Sequence, residues 1–209
     1  MPIDLAALVD PAHTVLVTQE CQNGVIGEHA ALPQLAEIAR KEMIPNGGRL
    51  AAAARAAGIT VVHCVAARRD DGKGSNANAR LFVGILKNAV PLLPGSSAVE
   101  VVPEIGVAPE DVVLTRLHGV GPMGGTDLDA VLRNLGATTV VGIGVSVNVG
   151  MLDFAFDAVN AGYQMVMPRD AVAGIPEGYA TDVLDNTLSL VATLCTTDAL
   201  LDIWGAADT

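Results

Sequence analysis

At 209 residues the chain has the length of one ordinary domain, enough to bury one sizeable core. A formal net charge of −11, from 12 Lys and Arg against 23 Asp and Glu, repels phosphate backbones, and no Lys/Arg cluster suited to nucleic acid or anionic lipid occurs. Hydrophobic residues at 51% against 17% charged exclude disorder, and 3% aromatics leave Val, Leu, Ile and Ala to fill the core and too few rings for base stacking.

Three cysteines, Cys21, Cys64 and Cys195, are widely spaced with no CxxC pair, which excludes a disulfide framework or zinc knuckle and predicts a reducing compartment. The first residues, MPIDLAALVDPAH, carry Asp4 and Asp10 and lack the basic and long apolar regions of a signal peptide. The most apolar stretch, Val140 to Phe156, is interrupted by Asn148, Asp153 and several glycines, too broken for a membrane span. A soluble, cytoplasmic protein is expected.

In chain order, short β-branched runs alternate with helical patterns. His13–Gln19, Ile59–Val65, Asp111–Arg116, Thr138–Gly144 and Gln164–Pro168 read as strands, most of them continuously apolar as in a parallel sheet covered on both faces. Between them, Gly47–Ala57 reads as an Ala-rich helix with Pro45 near its start and Gly58 at its stop. Thr126-Asp127-Leu128-Asp129 has capping-box spacing and opens a helix that Gly136 ends. Asn148–Asn160 reads as a helix ended by Gly162, and Tyr179–Thr196 places Val183, Leu184, Leu188, Val191, Leu194 and Cys195 on one helical face. The alternation predicts a three-layer α/β/α domain over 1–209 with a doubly wound, mostly parallel sheet. Residues 66–95, with ARRDDGKGSNANAR, form a long insertion after the second strand with a short helix at Ala77–Leu86; a surface loop and a substrate lid are both open readings.

Polar residues at the carboxyl ends of parallel strands are the first site candidates. Strand one ends in Gln19-Glu20-Cys21-Gln22-Asn23, strand three in Arg116-Leu117-His118 before the glycine-rich GVGPMGGT, and strand four in Gly144-Val145-Ser146-Val147-Asn148-Val149-Gly150. These ends supply a carboxylate, a guanidinium and a tight turn entering a helix.

Here the chain resembles the isochorismatase-like family, or cysteine hydrolases, which includes nicotinamidases and N-carbamoylsarcosine amidases. VLVTQECQN is similar to the family's apolar strand ending in Asp-x-Gln-Asn, IPNGGRLAAAARAAGITVVHC to its second unit, and GVSVNVGMLDFAFDAVNAGYQMVMPRDAVAG to its Gly-Val-x-Thr-x-x-Cys unit, with the likeness covering nearly the whole chain. Family amidases use an Asp base, a Lys partner and a Cys nucleophile. The matching positions carry Glu20, Arg116 and Gly150, while Lys41, Lys73 and Lys87 lie elsewhere. Glycine offers no thiolate, so a thioester is excluded at that position, and Arg116 keeps a charge it cannot surrender as a proton.

The resemblance extends to one branch, the phenazine-pathway isochorismatases, which also carries Gly at the Cys position and hydrolyses vinyl ethers by protonating the enol ether carbon. That branch keeps Asp and Lys. The expectation is a hydrolase of a small carboxylated or enol-ether-like metabolite, with Glu20 as acid, Arg116 as its partner and Gly150 at the vacated nucleophile position. Its rivals are a non-catalytic binder or assembly partner, in which Glu20 and Arg116 form a structural pair, and an amidase with another nucleophile. Ser146, Asn148, His118 and Gln22 are candidate substrate-binding residues, with helix capping the competing role of Asn148 and backbone bonding that of His118. Cys21 and Cys64 read as buried apolar residues, and His63 as a satisfied strand residue. Metal-binding nicotinamidases carry histidine after strand two, which ARRDDGKGSNAN lacks, so neither metal nor cofactor is expected. The resemblance further implies a homo-oligomer, dimer or tetramer, and a cis Val145–Ser146 bond. It also implies that restoring Cys, Lys and Asp at 150, 116 and 20 would yield a reactive thiol at a helix N-terminus.

Overall fold

The computed structural model describes residues 3–28, 30–85 and 90–206. Its strands are β1 (Thr14–Gln19), β2 (Val61–Ala66), β3 (Val112–Arg116), β4 (Thr139–Val145), β5 (Gln164–Pro168), β6 (Val172–Ala173) and β7 (Ala192–Cys195). They form one parallel sheet in the order β3-β2-β1-β4-β5-β7, with β6 pairing the end of β4. The helices are α1 (Leu5–Leu8), α2 (Asn23–Ile26), α3 (Pro33–Lys41), α4 (Met43–Ala56), α5 (Arg80–Ile85), α6 (Leu128–Asn134), α7 (Gly150–Asn160), α8 (Glu177–Asn186) and α9 (Thr197–Ala206).

Strand alternation separates two cores, one on each face of the sheet. Leu16, Val61, Val65, Val141 and Ile143 pack against Leu35, Met43, Leu50, Leu200 and Trp204 of α3, α4 and α9. Val15, Val17, Val62, Val140 and Met165 pack against Leu128, Leu132, Met151, Phe154 and Leu184 of α6, α7 and α8. The expected three-layer α/β/α architecture is therefore present. The chain steps outward from β1 to β2 and β3, then returns to place β4 on the other side of β1. That reversal opens a crevice at the carboxyl ends of β1 and β4, where folds of this kind bind ligands.

Three local expectations are corrected. Tyr179–Thr196 is not one helix: α8 ends at Asn186, a short 3₁₀ turn follows at Leu188–Leu190, and β7 pairs with β5 from Met165↔Ala192 to Pro168↔Cys195. A few apolar residues match a helical period by coincidence, whereas the β-branched Thr193 finds a ladder only when β5 offers an open edge. The helix around Pro45 begins two residues earlier, since a first-turn N–H needs no helical partner and proline is tolerated there. The capping box does not close: Thr126 Oγ1 accepts the Leu128 N–H at 3.2 Å, but Asp129 accepts the Tyr163 hydroxyl at 2.9 Å and Arg133 Nε at 3.2 Å. The helix predicted at Ala77–Leu86 is α5, and residue 86 lies outside the described residues.

Candidate functional site

Glu20 leaves the end of β1 with φ +53°, in the left-handed region that non-glycine residues rarely adopt. Such a residue costs on the order of 1–3 kcal/mol and persists where its surroundings over-determine it. Those surroundings are visible. The Glu20 N–H donates to the Cys64 carbonyl at 2.9 Å. Two residues on, the Gln22 amide donates to the carbonyls of Ala66 (2.8 Å) and Val99 (3.2 Å) and accepts the Ala66 N–H (2.8 Å). Gln22 is thus a fully buried clamp between β2 and the 99–101 segment, and its amide is spoken for.

The clamp holds Glu20 against Arg116, the last residue of β3. Arg116 Nη2 donates to Glu20 Oε1 and, at 3.1 Å, to the Val120 carbonyl. The arginine side chain is 4% exposed and the glutamate 23%. Arg116 Nε and Nη1 are buried without a hydrogen-bond partner, an expensive arrangement for a charged group.

Both residues line a cleft of about 140 Å³ whose walls are otherwise mainly apolar, among them Val25, Leu32 and Leu92. The 66–95 insertion supplies Phe82, Pro91 and Asn76 to that wall, and Asn76 Oδ1 accepts the Gly119 N–H at 2.9 Å, tying it to the loop after β3. The described part of the insertion therefore forms one wall of the cleft. His118 stands exposed at the rim, between this cleft and a neighbouring cavity of about 250 Å³ that reaches Cys64 and Thr126.

Ser146 and Asn148 turn elsewhere. Ser146 Oγ donates to Asn148 Oδ1 at 2.8 Å, and Asn148 Nδ2 donates to the Ile175 carbonyl at 3.2 Å. Neither lines the cleft, and Asn148 does not cap α7, whose N-cap is Val149. The N–H groups of Val147 and Val149 are already bonded, to Ala173 and Ser146. The Val145–Ser146 bond is cis, as the resemblance implies.

Gly150, the first residue of α7, borders a space that is already filled. A Cβ placed there would lie 2.9 Å from Gln19 Nε2, 2.9 Å from the Val120 oxygen and 3.3 Å from the Val145 oxygen. Gln19 is fully buried, and its Nε2 donates to the Val120 carbonyl at 3.0 Å. A cysteine at 150 would meet Gln19 and the Val120 oxygen at its Cβ, which favours the alternative that a neighbour fills this pocket over an open place for a reactive thiol.

A family model described as the Isochorismatase domain matches residues 14–199. The chain belongs to the isochorismatase family. An uncharacterized isochorismatase family protein of Bacillus subtilis, YwoC, is 40% identical over 74 residues, a stretch spanning 35% of this chain and 39% of that relative. Among solved structures, a cysteine hydrolase from Pseudomonas syringae pv. phaseolicola superposes with a TM-score of 0.83 at 22% identity, covering 96% of each chain. The N-carbamoylsarcosine amidase of Thermoplasma acidophilum gives 0.72 at 24% identity, over 89% of this chain and 97% of its own. The chain thus has an isochorismatase-family hydrolase fold. In that frame the structure brings Glu20 and Arg116 together, with His118 at the rim, and keeps Ser146, Asn148 and Gln22 in structural roles.

Sequence reasoning missed two sets of residues. Gln19 is a polar residue ending an apolar strand, and its position on the α7 face was the available signal. The second set centres on Asp111, which accepts Arg55 Nη2 (2.7 Å), the Ala108 N–H (2.7 Å) and His63 Nε2 (3.1 Å), while His63 Nδ1 meets Thr18 Oγ1 at 2.9 Å. Burial pushes His63 below its ordinary value, against the opposing pull of Asp111, so it is held neutral as the satisfied strand residue expected. Burial works to raise Asp111, but its bonds from Arg55, Ala108 and His63 hold it below the usual carboxylate value. Burial also pushes the Cys21 thiol up and Cys64 up to about 12, which disfavours the thiolate at both. Among the described residues no group of three His, Cys, Asp or Glu side chains is placed to hold a metal ion, and no helix is long and apolar enough to cross a membrane.

Proposed function

We propose that this chain hydrolyses a small carboxylated or enol-ether-like metabolite without a covalent intermediate, with Glu20 moving the proton and Arg116 holding the charge. The observation that carries this reading is the Glu20–Arg116 pair in a mainly apolar cleft, with two guanidinium nitrogens still lacking partners. A substrate carboxylate in the cleft would pair with the guanidinium, since such groups suit carboxylates. The substrate carboxylate would then lie beside Glu20 on one cation, with Glu20 as the acid. Glu20 gives its proton to the enol ether carbon, water adds to the resulting oxocarbenium carbon, and the hemiketal collapses to a ketone and an alcohol. The proton released returns to Glu20, so water is the only co-substrate.

The reading is tested by incubating the purified protein with a panel of carboxylated enol ethers and amides and following products by chromatography. Glu20→Gln should lower enol ether turnover by about 10²–10⁴-fold, the usual contribution of a proton-transfer group. Full activity in Glu20→Gln would refute the assignment. Two observations favour the rival, a non-catalytic binder: Gly150's niche is closed and Glu20 is already paired. Calorimetric binding of a carboxylate without turnover of any panel member would establish that rival. A homo-oligomer is proposed from the family alone, and light scattering showing a monomer would remove it.

A further inference from the structure

We propose that Gln19 is a positioning residue of this site: its amide lies against Gly150, the position that matches the family's Cys, and holds the Val120 carbonyl so that Arg116 is aimed at Glu20. This rests on the reading that Glu20 and Arg116 are the working pair. A buried amide on an apolar strand is costly unless bonded, and Gln19 makes one hydrogen bond, from Nε2 to the Val120 oxygen at 3.0 Å. The opposite amide orientation would set two oxygens against each other, so the donor assignment is secure. The same carbonyl oxygen accepts Arg116 Nη2 at 3.1 Å, and that nitrogen also donates to Glu20. One oxygen with two lone pairs thus joins the end of β1 to the end of β3.

The tether matters because Val120 lies between Gly119 and Gly121, in a loop with little intrinsic stiffness. Without Gln19, nothing from β1 would hold that carbonyl toward Arg116. Glycine at 150 is the matching condition. A Cβ there would come within 2.9 Å of both the amide nitrogen and the carbonyl oxygen. Glycine at 150 and the Gln19 amide therefore go together: the space beside Gly150 is taken by the amide that orients the cation.

The experiment is NMR of arginine-labelled protein without substrate, with the Arg116 signals assigned through Arg116→Lys. In the parent, hydrogen-bond couplings should connect the Val120 carbonyl to both Gln19 Nε2 and Arg116 Nη2. Gln19→Met keeps the length and removes the donor, and Gln19→Ala removes the bulk as well. In either folded variant, solvent exchange of the Arg116 guanidinium protons should rise by about two- to tenfold, the factor that one hydrogen bond is worth. Absence of both couplings in the parent overturns the proposal even if neither variant folds. Unchanged Arg116 exchange in a folded variant overturns it too, whether or not the parent turns over substrate. Faster exchange alongside a parent that hydrolyses nothing leaves the positioning role standing and removes the hydrolase reading alone.

Discussion

Adding one methyl group at Gly150 is the sharpest test of the closed niche. At the start of α7 an alanine would ordinarily help, by about 0.4–1 kcal/mol, because it restricts the unfolded chain. Here its Cβ would sit 2.9 Å from Gln19 Nε2 and from the Val120 oxygen. Overpacking of that kind costs about 1–3 kcal/mol. Displacing Gln19 from Val120 would forfeit a further hydrogen bond, about 0.5–1.5 kcal/mol. Gly150→Ala should therefore destabilise by about 1–3 kcal/mol, or roughly 2–12 °C in Tm for a chain of this length. The buried Trp204, the single tryptophan, reports urea unfolding by fluorescence. In a Gln19→Ala background the same methyl should cost about 1 kcal/mol less, the coupling expected of touching residues. A neutral or stabilising Gly150→Ala, or equal costs in both backgrounds, would refute the argument.

The restored triad should behave accordingly: with Gly150→Cys, Arg116→Lys and Glu20→Asp together, the new thiol should react slowly with iodoacetamide at neutral pH, and adding Gln19→Ala should release it. Asp111→Ala leaves Arg55 and His63 without their acceptor and should cost about 3–5 kcal/mol in urea unfolding; a loss under 1 kcal/mol would contradict the buried network. His63 has its proton affinity lowered by folding, so its contribution is fully present above the unfolded value near 6.5 and is lost as pH falls through the depressed folded value. Stability measured from pH 7.5 down to 5 should fall in the parent and fall less in His63→Asn. Gly144→Ala combines φ +124° with a collision against the Gln19 carbonyl, and should destabilise more than Gly150→Ala.

Much of the fold was legible because continuous Val/Ile runs separated by capped or Gly-ended segments leave few arrangements other than a covered parallel sheet. The five principal strands emerge within two residues of their predicted bounds, Glu20 and Arg116 stood out by their place at strand ends, and Gly150 by the family resemblance. What the sequence could not determine is where each side chain goes once two strand ends meet. Gln22 and Asn148 looked available for substrate, yet backbone carbonyls from Ala66, Val99 and Ile175, all distant in sequence, claim their amides. β7 was hidden because an edge strand is decided by its neighbour's free backbone rather than by its own period. The closure of the Gly150 niche was invisible for the same reason: it depends on Gln19, Val120 and Val145 converging within van der Waals distance of one missing Cβ. Local patterning determines which elements form and which face is apolar, whereas hydrogen-bond partners separated by tens of residues are chosen only by packing, and the site is made of them.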